Sequence, residues 1–187
     1  MHINYYQITG LFGLSEILLL LARRSKSAGV KNRSDKNSLG LLWIVIIGCL
    51  IFGGMTSTYE KWVFPHQAFA MYAGLVILAI GFIIRWTAII QLGKRFTVDV
   101  SISNAHTLKT SGLYKIVRHP SYLGLMLIFF GIALFLGNLL SFIIIVVPTF
   151  LALNYRIKIE EKALTDEFGE QYIAYKRKVA RIIPGLY

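Results

Sequence analysis

Long apolar runs constrain this chain more than any other feature of its sequence. Charged residues make up 16% of the chain, fewer than in a typical soluble domain. A helix needs roughly 20 mainly apolar residues to cross a bilayer. Five runs approach that length, at 3–22, 39–55, 67–92, 122–136 and 139–155. The pattern predicts an all-α membrane protein with about five transmembrane helices, the last two joined by a tight turn at Gly137 and Asn138.

The basic residues predict how these helices are oriented. Of the 20 lysines and arginines, six lie in 23–38, five in 93–121 and seven in 156–187. Of the other two, Lys61 lies in another loop and Arg85 lies within the third run. The positive-inside rule therefore places the N-terminus outside and the C-terminal half towards the cytosol. The first run lacks a small-residue cleavage site, so we expect it to remain as an anchor.

Several classes of protein and site are excluded by composition and pattern. The net charge of +11 would serve nucleic-acid binding only if the basic residues shared one soluble face, and they are spread over three loops. We therefore expect the bilayer as partner and no nucleic acid. The lone Cys49 excludes an internal disulfide and a cysteine metal cluster. No metal site is expected, because zinc-ligand spacing is missing among His2, His66, His106 and His119. No GxGxxG motif follows a strand, which excludes a Rossmann-type methyltransferase domain.

Arg85 is the first candidate for chemistry. It lies about seven residues before the inner end of the third run, roughly 10 Å deep at the helical rise. A charge at that depth costs about 3 kcal/mol on insertion scales and normally faces a polar cavity or a partner. The alternative is that its long side chain snorkels to the headgroups. Because a guanidinium binds carboxylates bidentately, Arg85 is a candidate for holding an acidic substrate group.

The segment 106–124 mixes polar, aromatic and turn-forming residues just before the fourth run. Pro120 suits the first turn of a helix, and the free N–H groups of such a helix start can hold a polar or anionic ligand group. Gly124 permits close approach of a backbone or cofactor. The same features describe a well-capped helix start with an interfacial aromatic belt, so a ligand site and a purely structural role both stay open.

The C-terminal tail contains five residues spaced four apart, which therefore follow one side of a helix: Arg156, Glu160, Leu164, Phe168 and Tyr172. Arg156 and Glu160 either pair with each other or face the same polar pocket. We expect Gly169 to interrupt this helix and Pro184 to mark its end. Its apolar edge predicts a C-terminal interfacial helix.

Three segments together resemble the isoprenylcysteine carboxyl methyltransferase family. HTLKTSGLYKIVRHPSYLG at 106–124 is similar to that family's HTL…SG.Y…RHPSY.G region. EEKALTDEFGEQYIAYKRKV at 160–179 is similar to its EE..L…FG..Y..YK pattern, and GFIIRWTAIIQLG at 81–93 to a membrane helix with one arginine. The two long motifs in this order are specific, whereas phospholipid methyltransferases and membrane sterol reductases share RHP.Y.G. The chain is accordingly divided into N-terminal membrane helices at 1–80 and a catalytic region at 81–187.

The resemblance implies a cofactor pocket and a substrate site. One wall of a pocket for S-adenosylmethionine would be formed by His106, Thr107, Leu108 and Lys109 with Tyr114 beside them, and another by His119, Pro120, Ser121 and Tyr122. Glu160 would accept hydrogen bonds from a hydroxyl or amino group of the cofactor. Arg156 would contact the substrate, and Arg85 would orient its carboxylate. Where the family usually has four acidic residues in a row, this chain has Lys158-Ile159-Glu160-Glu161, so the family's other acidic positions have no role here.

The activity implied is S-adenosylmethionine-dependent methyl transfer to the carboxylate of an isoprenylcysteine-like or other lipophilic acceptor, releasing S-adenosylhomocysteine. The acceptor would be a prenylated peptide or a lipophilic small molecule. Such a reaction needs alignment and exclusion of water, and an ionised carboxylate needs no strong base. The pocket would face the cytosol, at the inner membrane in a prokaryote. The alternatives are N- or S-methylation of a lipophilic amine or thiol, an NADPH-dependent sterol-type reductase, and a non-catalytic membrane scaffold.

Overall fold

The computed structural model describes residues 4–22, 33–93 and 107–185, without the side chains of 20–22 and 33–37. Within these ranges the chain is helical, with six α-helices and short 3-10 turns at Glu60–Trp62 and Gly112–Lys115. The helices are α1 (Tyr5–Ala22), α2 (Arg33–Thr56), α3 (Gln67–Leu92), α4 (Pro120–Phe135), α5 (Leu139–Phe168) and α6 (Glu170–Lys178). The expected all-α architecture is confirmed.

Three of the described helices are long and apolar enough to cross a membrane by length and composition. Their apolar spans are Ser38–Thr56, Gln67–Leu92 and Leu139–Phe168. Pro120–Phe135 is apolar but shorter. Membrane-spanning helices are therefore present, while the count of five and the orientation stay predictions. The division between 1–80 and 81–187 also stays a prediction, and it falls inside the continuous helix α3.

Helices α3 and α4 pack antiparallel in direct backbone contact at two pairs of glycines. A Cβ atom at Gly131 would lie 2.6 Å from the carbonyl oxygen of Gly74, and one at Gly124 would lie 2.7 Å from that of Gly81. Such distances admit no side chain, so only glycine lets the two helices approach this closely. A Cβ atom at Gly124 would also lie 2.6 Å from the backbone nitrogen of Arg85. The close approach therefore places Arg85 at the start of α4.

Helices α2 and α5 form a second antiparallel pair. At one end Thr56 Oγ1 lies 3.1 Å from Ser141 Oγ, and at the other Arg156 Nη1 donates to Ser38 Oγ at 2.9 Å. Helix α1 packs on α4 through Phe12 and the ring of Phe129, whose centroids are 5.1 Å apart. One end of the bundle consequently gathers the C-terminal ends of α1 and α3, the N-terminal ends of α2 and α4, and the later turns of α5.

The predicted turn between the last two apolar runs is confirmed. Gly137 has a φ of +63°, in the left-handed region that favours glycine. The Asn138 side chain caps α5 by accepting hydrogen bonds from the backbone N–H groups of Leu140 at 3.0 Å and Ser141 at 3.2 Å. Its amide also donates to the Tyr59 carbonyl at 2.9 Å, which ties the turn to the loop after α2.

Helix α5 is longer than its apolar run predicts. The run ends at residue 155, but the helix continues to Phe168, so the start of the expected tail is part of the same rod. Gly169, with a φ of +51°, ends α5 where an interruption was expected. The expectation for Pro184 is wrong, because α6 already ends at Lys178. The chain after α6 instead bonds to the segment before α4, and those bonds replace the helical ones.

Candidate functional site

The start of α4 supplies the first wall of the site. Pro120 lies in the first helical turn as predicted, preceded by His119 at the N-cap position. The side chains of His119 and Ser121 are buried, and the rings of His119 and Tyr122 stack with centroids 5.7 Å apart. The structure thus brings the four residues 119–122 together at the first turn of one helix, with His119 and Tyr122 beside α5 and Ser121 beside Arg85 of α3.

Glu161 joins this helix start to the end of the chain. Its Oε1 accepts from Arg118 Nε at 3.0 Å, and its Oε2 accepts from Arg181 Nη2 at 2.8 Å. The backbone N–H of Arg118 donates to Ala180 at 2.8 Å, and that of His119 to Arg181 at 3.1 Å. Two arginines and a backbone pairing therefore hold the segment after α6 against the start of α4. A role for Glu161 was not predicted from the sequence, although its place beside Glu160 in a basic tail was the available signal.

Glu160 carries an unsatisfied atom. Its Oε2 is buried and has no hydrogen-bond partner within the described residues, and His119 Nδ1 lies 3.9 Å away. The hydroxyl of Tyr172 is likewise buried without a partner there. Buried polar atoms in native structures normally have partners, and a carboxylate oxygen needs a donor. These orphaned atoms fit a site for a ligand that carries hydroxyl or amino groups.

Arg156 is almost fully buried between three helices. Its Nε donates to the Tyr122 hydroxyl at 3.1 Å, and its Nη1 donates to Ser38 Oγ at 2.9 Å. The same Tyr122 hydroxyl interacts with Glu160. Arg156 and Glu160 are thus linked through Tyr122, which supports the interpretation that both face one polar pocket. Ser38 could not be found from sequence, because it lies 118 positions away from Arg156 in the chain.

Arg85 is paired with Glu16 of α1. Its Nε donates to Glu16 Oε1 at 2.8 Å and its Nη2 donates to Glu16 Oε2 at 2.7 Å. Its Nη1 donates to the Ser121 carbonyl at 3.3 Å and hydroxyl at 3.2 Å. Both side chains of the ion pair are less than one tenth exposed. Arg85 therefore faces a partner rather than snorkelling to the headgroups. Glu16, an acid within the first apolar run, is a residue of this site that was not predicted from the sequence.

The segment before α4 is fastened to α3 and α6. The backbone N–H of Leu113 donates to Gln91 Oε1 at 2.9 Å, and the Tyr114 hydroxyl donates to the Ala88 carbonyl at 3.4 Å. The Tyr175 hydroxyl donates to the Tyr114 carbonyl. Burial raises the pKa of the Tyr114 phenol, with the Glu160 carboxylate as a second cause, and burial raises the pKa of Tyr175 to about 12. Both phenols consequently stay protonated at neutral pH and keep these bonds.

For the other expected cofactor residues, at 106–109, the structure gives little beyond their exposure. Lys109 and Leu108 are partly buried, and Thr107 is exposed. His106 lies outside the described residues. Their part in a cofactor wall therefore stays a prediction.

Comparison with known proteins identifies what this arrangement is similar to. The model of the isoprenylcysteine carboxyl methyltransferase (ICMT) family matches residues 73–166. Protein-S-isoprenylcysteine O-methyltransferase A of Arabidopsis thaliana is 36% identical over 113 residues, which are 59% of this chain and 57% of that protein. The probable protein-S-isoprenylcysteine O-methyltransferase of Oryza sativa subsp. indica is 34% identical over 130 residues, 67% of this chain and 68% of that protein. The protein-S-isoprenylcysteine O-methyltransferase of Schizosaccharomyces pombe is 29% identical and is matched over 96% of this chain and 84% of its own length.

A solved structure shares the fold. The eukaryotic intramembrane Ras methyltransferase ICMT superposes with a TM-score of 0.72 at 27% identity, covering 97% of this chain and 65% of that one. The present chain thus spans less than two thirds of the length of that structure and of the Arabidopsis relative.

Proposed function

The chain belongs to the isoprenylcysteine carboxyl methyltransferase family, and we propose that it is an integral membrane enzyme that methylates the carboxylate of a lipophilic, isoprenylcysteine-like acceptor using S-adenosylmethionine. One observation carries the proposal. A buried carboxylate oxygen of Glu160 without a partner in the described structure lies at the same end of the bundle as the buried guanidinium groups of Arg85 and Arg156. That end offers an acceptor atom for a cofactor and cationic donors for an acidic substrate.

The residues present fit the cofactor. Glu160 Oε2 and the Tyr172 hydroxyl are buried atoms to which ligand hydroxyl and amino groups can bond. His119, Pro120, Ser121 and Tyr122 would form the wall beside them, and His106, Thr107, Leu108 and Lys109 would form the other. When bound, S-adenosylmethionine supplies an activated methyl group. The protein's own task is then to fix the acceptor in line and to keep water out.

The acceptor side follows from the two buried arginines. An acceptor carboxylate is ionised at neutral pH, so it needs to be positioned rather than deprotonated. Arg85 would orient it through the end of its guanidinium that faces Ser121. Arg156 would contact the acceptor from the other side, with Tyr122 between it and the cofactor residue Glu160. A lipophilic acceptor would reach this site from the bilayer and the water-soluble cofactor from the cytosol, the side to which the positive-inside rule assigns the basic segments of the chain.

The test is binding and turnover by the protein purified in detergent. The proposal expects saturable binding of labelled S-adenosylmethionine and transfer of the labelled methyl group to a prenyl-thioether carboxylate. The same panel includes matched thiols and amines, which distinguish S- and N-methylation. Binding of NADPH in place of S-adenosylmethionine would instead support a reductase. A protein that binds neither would contradict the proposed enzyme.

A further inference from the structure

Glu16 is the residue of the site that the proposed reaction does not yet use. It reaches Arg85 from α1, and the carboxylate and the guanidinium meet side by side through two hydrogen bonds of 2.8 and 2.7 Å. Both side chains are buried. A buried acid is costly without such a partner. Its position next to the arginine expected to hold a substrate carboxylate therefore bears on how that substrate binds.

The geometry leaves one end of Arg85 for a second carboxylate. Glu16 takes the edge formed by Nε and Nη2, while Nη1 at the adjoining end contacts Ser121 at 3.2 and 3.3 Å. The bonds to Glu16 are short and join two charges, and such bonds are roughly twice as strong as neutral ones. The contacts with Ser121 are longer, and their acceptors, a hydroxyl and a carbonyl, carry no charge. An incoming carboxylate would therefore displace Ser121 from Arg85 and leave Glu16 in place.

We propose that Glu16 is a positioning residue for the acceptor: it anchors Arg85 by one edge so that the other end receives the acceptor carboxylate, and its charge limits how tightly Arg85 holds that carboxylate. The inference rests on the proposed function. Methylation removes the negative charge of the acceptor, so a strong interaction with the ionised ground state is lost as the new bond forms. Binding that is stronger in the ground state than in the transition state slows turnover. Glu16 shares the positive charge of Arg85 and weakens that unproductive hold.

The first test is Glu16→Gln, which keeps the shape of the side chain and removes its charge. For a prenyl carboxylate acceptor we expect KM to fall about tenfold and kcat to fall by at least about as much, since one charge interaction then binds the ground state more tightly. Equilibrium binding of the acid should tighten, while binding of its methyl ester should not change. S-Adenosylmethionine affinity should stay within about twofold, because Glu16 is not among the residues beside Glu160.

The matched control is Ser15→Ala on the same helix. Ser15 precedes Glu16 and its side-chain oxygen is buried without a partner in the described structure, so the variant perturbs α1 and leaves the ion pair intact. Its KM and kcat should match those of the wild type. A purely structural role of Glu16 would raise KM or lower only the amount of folded protein, and either result for Glu16→Gln would overturn the proposal.

A second pair of variants covers the case in which Glu16→Gln does not fold. Arg85→Gln leaves Glu16 as an uncompensated buried charge, whereas the double variant with Glu16→Gln removes both charges, a change that buried pairs often tolerate. Since Glu16 borders the acceptor carboxylate, the double variant should bind the acid about tenfold more tightly than Arg85→Gln alone and the ester equally. Equal binding of the acid by both would overturn the proposal. If the wild type methylates none of the carboxylates, the proposed function is overturned. The binding comparisons can still be measured in that case, so the two failures are distinguishable.

Discussion

The Nε2 atom of His119 lies 3.4 Å from Oε1 of Glu161, while Nδ1 of the same ring lies 3.9 Å from Oε2 of Glu160. The two neighbouring acids of α5 thus meet opposite nitrogens of one imidazole. Glu161, fixed by Arg118 and Arg181, sets the ring in place. Glu160 Oε2, buried without a hydrogen-bond partner in the described residues, is the atom that we propose receives the cofactor. This division of roles leads to separate predictions for the two acids.

Glu161→Gln should weaken both the fold and cofactor binding. Removing one partner of a buried charge network typically costs about 3–5 kcal/mol, because Arg118 is then left without its counterion. We expect a clear drop in Tm in a detergent-based unfolding assay and at least about tenfold weaker binding of S-adenosylmethionine, since His119 loses its support. The control is Asp166→Asn, an exposed acid later on the same helix, which should leave both measurements unchanged.

Glu160→Gln should separate binding from stability. The amide keeps the size of the side chain but turns one acceptor atom into a donor and removes the charge. Binding of S-adenosylmethionine should fall by about tenfold or more, the cost of one charged hydrogen bond. The Tm should stay equal or rise, because the variant removes the cost of burying a charged oxygen atom without a hydrogen-bond partner. Wild-type cofactor affinity in this variant would contradict the assignment of Glu160.

Gly124→Ala should push α3 and α4 apart. The added Cβ atom would lie 2.6 Å from the backbone nitrogen of Arg85. Because this is a backbone atom and not the end of a flexible side chain, it cannot move aside without shifting a helix. Overpacking of this kind costs about 1–3 kcal/mol, and it moves Arg85 relative to Ser121. We therefore expect a lower Tm together with a lower kcat. Gly48→Ala has open space around its Cβ atom and should change neither, and a similar loss in both variants would indicate a general intolerance of alanine.

Asn138→Ala should test the turn between α4 and α5. The variant loses the cap on the first turn of α5, worth about 1 kcal/mol, and also the hydrogen bond to the Tyr59 carbonyl. The Tm should fall while KM values stay near those of the wild type, because the turn lies at the end of the bundle opposite the site. Asn138→Asp keeps the capping oxygen and should recover part of the lost stability. An equal drop in Tm in both variants would show that the hydrogen bond to the Tyr59 carbonyl matters more than the cap.

The fold was predictable where a local pattern decides it. The apolar run at 67–92 coincides with α3, and Gly137 with Asn138 forms the turn that their backbone preferences predict. The length of α5 was not predictable from hydropathy, because its continuation past residue 155 combines the buried Arg156 and Glu161 with exposed charged residues such as Lys158. A run of apolar residues reports contact with lipid, and Arg156 is buried among protein atoms where such a run has already ended.

The candidate site was predictable only in part. The local motif of residues 119–122 and the four-residue spacing of Arg156 and Glu160 marked two of its walls. The partners of the buried arginines could not be found in this way, since Glu16 lies 69 positions before Arg85 and Ser38 lies 118 positions before Arg156. Neither pair shares a helix, so no periodicity connects its members. Only the packing of α1 and α2 against the other helices shows these contacts.

The length of α5 has a consequence for where the two halves of the reaction meet. Its 30 residues make a rod of about 45 Å, against about 30 Å for the hydrocarbon core of a bilayer. Measured from Asn138 at the turn, Arg156 comes after about 27 Å and Glu160 after about 33 Å. An upright α5 whose hydrocarbon span begins at this turn would therefore carry Arg156 just inside the hydrocarbon core and Glu160 just beyond it. Little more than one helical turn would then separate the arginine on the lipid side from the glutamate on the water side.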